Sequence, residues 1–160
     1  NQTSRYSPHR RLTSVESARI IIGHVNEGIS IAKKNKLPNR VIDFIKTHHG
    51  TNWVYYFYKK AQEDQNLVID EKDFKYPGPK PFSKETAILM MADSVEAASK
   101  SLREPNVDQI TNFVNSIIEK QVNEKQFNEC NITLADIENV KRVLIKKLIN
   151  IYNLRIEYPK

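Results

Sequence analysis

Lys46-Thr47-His48-His49-Gly50-Thr51 closes a predicted helix running from about Asn39 to His49, with Gly50 suited to the left-handed position that ends it. Val41, Phe44, Ile45 and His48 fall on one apolar row of this helix, and Ile42, Ile45 and His49 on the next. Adjacent helical residues differ by about 100° in direction, so both imidazoles face inward only on a broadly buried helix or at its last turn. Two such imidazoles in apolar surroundings are deprotonated and short of partners, which is costly unless something binds them. The pair therefore favours a metal site over two satisfied core histidines.

Upstream, a helical pattern begins at Ser14. Ile20, Ile21, His24, Val25, Gly28, Ile29 and Ala32 recur at three- and four-residue steps, which places His24 within the buried stripe. Alone, a histidine there is an ordinary hydrogen-bonded core residue; beside the pair it becomes a third nitrogen donor. The helix is expected to fade over residues 33–36, where lysines suit its C-terminal dipole, and Leu37-Pro38 opens the next element.

Downstream, residues 52–63 read as a third helix whose aromatics, from Trp53 to Tyr58, serve mainly packing. A polar stretch from Asp64 leads into Phe74-Lys75-Tyr76-Pro77-Gly78-Pro79-Lys80-Pro81, whose prolines forbid helix and favour an extended, rigid strap. Ser83 is the expected N-cap of a fourth helix over 84–102, with Ile88, Met91, Ala92, Val95, Ala98 and Leu102 as its buried stripe. Asp93 interrupts that zone, and a carboxylate there must be paired, hydrogen-bonded or metal-bound. Two packing helices follow, one opened by Pro105-Asn106 and one by a capping box of Thr133 with Asp136. His24, His48, His49 and Asp93 thus offer nitrogen and oxygen ligands of the kind that manganese, iron or zinc takes.

Composition sets the frame. The 160 residues suit a single helical domain with a real core, and no apolar run approaches the ~18 residues of a membrane span. One cysteine, Cys130, rules out an internal disulfide and argues against a cysteine-ligated zinc site. The net charge of +6 favours anionic partners, yet no aromatic and basic interleaving points to DNA or RNA. Only four glycines occur, none arranged as a phosphate-binding loop.

Four stretches are more specific. Gly23-His24-Val25-Asn26-Glu27-Gly28, residues 43–51 around the histidine pair, residues 74–81, and Ser83-Lys84-Glu85-Thr86-Ala87-Ile88 with Ala92-Asp93-Ser94-Val95-Glu96-Ala97 closely resemble the HD phosphohydrolase domain of the seven-transmembrane HD family. Arg155-Ile156-Glu157-Tyr158-Pro159 is similar to that family's ending. The resemblance implies an all-α HD-domain helical bundle over residues 1–160. It further implies the cytoplasmic domain of a bacterial inner-membrane protein that hydrolyses cyclic di-AMP to pApA with water activated at a two-metal centre. His24, His48 and His49 would then serve chiefly one divalent ion, manganese or iron, and Asp93 the other. Thr51, Lys84 and Arg155 would hold the cyclic dinucleotide substrate. No His-Asp doublet occurs in the chain, although the family carries one upstream of the point corresponding to Asn1. A chain truncated before that doublet is therefore expected to hold one ion or none and to be nearly inactive by itself. Membrane attachment would come through a missing N-terminal region, and a homodimer is left open. Two alternatives stand beside this reading: an HD hydrolase of another phosphoester, and a nucleotide sensor without turnover.

Overall fold

The structure, a computed structural model, describes residues 12–63 and 69–152. Within them run six α-helices: α1 (Ser14–Lys34), α2 (Asn39–Thr47), α3 (Tyr55–Gln62), α4 (Lys84–Ser99), α5 (Val107–Asn123) and α6 (Leu134–Ile151). A single 3₁₀ turn, Glu71–Phe74, and one isolated antiparallel bridge, Trp53 to Lys75, complete the regular structure of the described residues. The expected all-α class is what the chain adopts. The helices fall into two compact units, within Asn1–Pro79 and Lys80–Lys160.

Helix starts follow the local chemistry closely. Thr13, Ser83, Asn106 and Thr133 each cap a helix through a reciprocal capping box with the residue three positions on. Each box satisfies two backbone donors that would otherwise lack an intrahelical partner. Helix ends are less legible. α1 and α5 both finish in the paired hydrogen bonds of a Schellman turn: Lys36 N–H to Lys33 and Leu37 N–H to Ala32, then Lys125 N–H to Val122 and Gln126 N–H to Gln121. The residues at the turn are Lys36 (φ 54°) and Lys125 (φ 57°), not glycines. Gly50, with φ 51°, does take the left-handed conformation expected of it after the histidine pair.

In the first unit, Ala18 and Val25 of α1 pack with Val54, Phe57, Ala61, Phe74 and Tyr76. Of the stripe expected on α1, Val25 and Ala32 are buried and Ile21 and Ile29 pack against the core, with Ala18 joining them. Ile20, 57% exposed, and His24, also exposed, are the corrections to that stripe. The apolar run Ile20-Ile21-Ile22 fits two neighbouring faces, so periodicity alone does not fix which edge of the stripe turns to solvent. Where α1 meets α2, a Cβ added at Gly28 would lie 3.1 Å from Ile45 Cγ2, so this glycine sets how closely the two helices approach.

α3 starts three residues later than the sequence suggests. The backbone before it is drawn into an extended clamp: Val54 N–H donates to Phe74 O (2.7 Å) and Tyr76 N–H to Asn52 O (2.9 Å). Lys75 Nζ lies 4.0 Å from the centroid of the Trp53 ring, a cation–π contact over the same bridge. The strap after Phe74 is extended, as its prolines require, and the 3₁₀ turn preceding it was not legible. That turn is started by the Asp70 side chain, which accepts from Lys72 N–H at 2.9 Å.

In the second unit, Ala87, Met90, Met91 and Val95 of α4 meet Ile110, Val114 and Ile118 of α5 and Ile137, Leu148 and Ile149 of α6. Both methionines are fully buried, and truncating either to alanine would cost about 2–5 kcal/mol. Ile88, expected in the stripe, is 42% exposed, while Thr86 and Met90 are buried instead. Residues 87–92 are apolar all round, so the sequence does not say which side turns inward. Buried Gln121 donates from Nε2 to Ser94 Oγ (2.8 Å), and Tyr152 OH donates to Ser99 O (2.9 Å). Lys141, 7% exposed, keeps its ammonium by lying against Glu138 (2.8 Å) and Glu119 (3.3 Å). Burial works against that charge, but the two carboxylates outweigh it and raise the lysine's pKa.

Candidate metal centre

α1 and α2 bring His24, His48 and His49 together within the first unit. One nitrogen from each ring lies within 4.8 Å of the other two. His48 is the C-cap of α2 and His49 follows it, so the pair escapes the 100° divergence of a helix interior by sitting where the helix ends. Their rings lie 4.0 Å apart, centroid to centroid, and His24 sits edge-on to both, at 5.3 Å from His48 and 5.0 Å from His49.

Hydrogen bonding fixes which nitrogens are available. His48 Nδ1 lies 2.6 Å from Ile45 O, and His24 Nδ1 contacts Ile21 O one turn back on α1. A carbonyl only accepts, so each Nδ1 carries a proton and Nε2 is the nitrogen each ring has left to offer. Those two Nε2 atoms face one another at 3.2 Å. Either a proton or a metal ion between them satisfies both, and a proton bridges only two nitrogens. A third ring nitrogen close to both favours a metal ion, and a backbone carbonyl behind each imidazole is the usual support for a ligating histidine. The spacing fits: two nitrogens about 2.0–2.1 Å from one tetrahedral ion stand roughly 3.3 Å apart. The residues present therefore suit a divalent transition ion bound by nitrogen.

Electrostatics agree. Burial, followed by the neighbouring His48 and His24, pushes the His49 pKa down to about 3. His49 is thus neutral across the physiological range, the form a metal requires. His24 is exposed and the pair half-buried, which leaves the cluster one side open to solvent.

The remaining expected site residues are distributed as follows. Thr51 lies in the turn just after Gly50 and is half-buried. Asp93 is half-buried on α4, in the second unit, beside Ser94. Lys84, the first residue of α4, makes an ion pair of 2.8 Å with Asp136 at the start of α6. Arg155 lies outside the described residues. Tyr76 was missed. Its buried ring stacks on His49 at 4.2 Å and 26°, and stands edge-on to His24 at 6.1 Å. The signal was available: the alternation Phe74-Lys75-Tyr76 in an extended strap puts both aromatics on one face.

No protein-family model matches the chain. It is 43% identical over 159 residues to the cyclic-di-AMP phosphodiesterase PgpH of Listeria monocytogenes and 39% identical over 160 residues to PgpH of Bacillus subtilis, covering 99% and 100% of this chain. It spans only 22% of the length of either relative. The crystal structure of the L. monocytogenes PgpH HD domain superposes with a TM-score of 0.87 at 42% identity, over 95% of this chain and 71% of that one. The same domain solved in complex with cyclic-di-AMP also gives 0.87, at 43% identity. Identity at this level over the whole described fold, with the shared helical architecture, places the chain in the family of PgpH-type HD-domain phosphohydrolases.

Proposed function

We propose that this chain is part of a metal-dependent phosphodiesterase that hydrolyses cyclic di-AMP to linear pApA. The observation that carries the reading is the pair of facing Nε2 atoms of His24 and His48, with His49 alongside. The similarity to a PgpH domain solved with cyclic-di-AMP supplies the substrate class.

His24, His48 and His49 would hold one divalent ion, manganese or iron, and Asp93 a second. Bound there, such ions supply Lewis-acid polarisation of the phosphodiester and lower the pKa of water. The chain's own contribution is to present imidazoles in fixed orientations, with His49 held neutral by its burial, and to place cations near the phosphates. Thr51 and Arg155 are proposed substrate contacts. Lys84 joins them on condition that its ammonium is shared with, or released from, Asp136. In its cellular setting the chain is read as a cytoplasmic domain attached to the membrane through other parts of a longer protein; among the described residues, no helix is long and apolar enough to cross a membrane.

The test combines calorimetric titration of Mn²⁺ into this chain with a cyclic di-AMP hydrolysis assay on the full-length protein. Ion binding that is lost in His48→Ala, together with release of pApA by the parental protein alone, supports the reading. Binding of cyclic di-AMP with neither ion binding nor turnover overturns it in favour of a sensor.

A further inference from the structure

His49 belongs to a closed circuit of three contacts. Its own carbonyl accepts from Asn52 N–H (3.0 Å), the Asn52 carbonyl accepts from Tyr76 N–H (2.9 Å), and the Tyr76 ring returns to stack on the His49 ring at 4.2 Å. The strap bearing Tyr76 is held in turn by Val54 N–H on Phe74 O and by the Trp53–Lys75 bridge. Tyr76 is 7% exposed, so it has little room to move away. His24 and His48 are oriented differently, each by a carbonyl of its own helix placed three residues back.

We propose that Tyr76 is a positioning residue of the metal centre. Its aromatic face fixes the plane of the His49 ring, so that the third imidazole nitrogen points to the place where the His24 and His48 Nε2 atoms already converge. The role belongs to the ring and not to the hydroxyl, because the contact with His49 is face to face at an interplanar angle of 26°. An imidazole turns about two side-chain bonds, and a planar neighbour parallel to it restricts the second of them. The inference rests on the reading of the trio as a metal site and adds to it the device that orders its third member.

Titration of Co²⁺ into this chain, followed by calorimetry and by its visible absorption band, tests the idea. Tyr76→Phe is expected to bind within about twofold of the original chain with an unchanged band. Tyr76→Leu, folded by circular dichroism, is expected to bind about 10–100-fold more weakly, the usual loss when the support of a ligating histidine is removed, and to show a shifted band. Should Tyr76→Leu not fold, Tyr76→Trp takes its place, since a larger ring displaces the plane of His49 and must shift the band. Equal affinity and an identical band in the folded Leu or Trp variant would overturn the proposal, as would a loss in Tyr76→Phe as large as in Tyr76→Leu. Absence of Co²⁺ binding by the unsubstituted chain would instead sink the metal reading itself, so the two failures are distinguishable.

Discussion

His24 Nε2 and His48 Nε2 stand 3.2 Å apart, each with its Nδ1 turned to a backbone carbonyl of its own helix. His24→Ala is expected to leave the metal-free chain as stable as before or to raise its stability by up to about 0.5 kcal/mol, since an exposed helical residue gains propensity. The same substitution should abolish the thermal stabilisation that Mn²⁺ confers on the unsubstituted chain, which at a hundredfold excess over Kd is about 2.7 kcal/mol. Melting curves with and without Mn²⁺ for both proteins check both halves.

Lys84 and Asp136 give a pH signature. The hydrogen bond from Lys84, then those from Thr133, hold the Asp136 carboxyl down at about 2, below its ordinary 3.8. With the folded value depressed, the contribution to stability is complete above about pH 4 and is lost as pH falls through about 2. Lys84→Met should move the Asp136 titration back toward the ordinary carboxylate range and shrink that acid-side loss. NMR titration of the Asp136 carboxyl between pH 5 and 1.5 reads the shift, and a curve coincident with that of the unsubstituted chain would refute it.

Lys36 occupies a left-handed position that glycine fills without steric cost. Left-handed backbone costs a residue with a Cβ roughly 1–2 kcal/mol, of which the freer unfolded glycine chain returns part. Lys36→Gly should therefore stabilise the chain by about 0.5–1 kcal/mol. The urea midpoint should rise with no change in m.

Gly28 and Ile45 should be energetically coupled. A methyl group at Gly28 gains about 1 kcal/mol of helix propensity but presses on Ile45 Cγ2 at 3.1 Å. Gly28→Ala alone is expected to lie within about 1 kcal/mol of neutral, while the same change in an Ile45→Ala background should be clearly stabilising. A double-mutant cycle giving a coupling below about 0.3 kcal/mol would show that α2 yields freely at this contact.

Reading the sequence succeeded where the chemistry is local and failed where it is tertiary. Capping residues such as Ser83 and Thr133 announce helix starts because the partner of each hydroxyl lies three residues away. The histidine pair was legible for a similar reason: two neighbouring imidazoles at a helix end conflict with a simple core. The solvent edge of the α1 stripe was not, because three consecutive isoleucines fit two faces, and His24 is a rim residue reaching sideways to His48. The Schellman turns at Lys36 and Lys125 were hidden too, since neither carries the glycine that normally signals them. The alternation Phe74-Lys75-Tyr76 puts the Tyr76 ring on the face of Phe74, but its seat on His49 depends on the strap pairing with Asn52 and Val54 from a distant part of the chain, which no local period encodes.

The clamp between residues 52–54 and 74–76 also bears on the order of events during folding. α1 and α2 adjoin in sequence and can associate early, bringing His24 to His48 at small loop-closure cost. The circuit through Tyr76 spans a longer loop, so its closure is expected later: two donors would assemble first and the third would become rigid last. Nascent chains would then pass through a stage that chelates weakly, and full grip on an ion would report completion of the whole first unit.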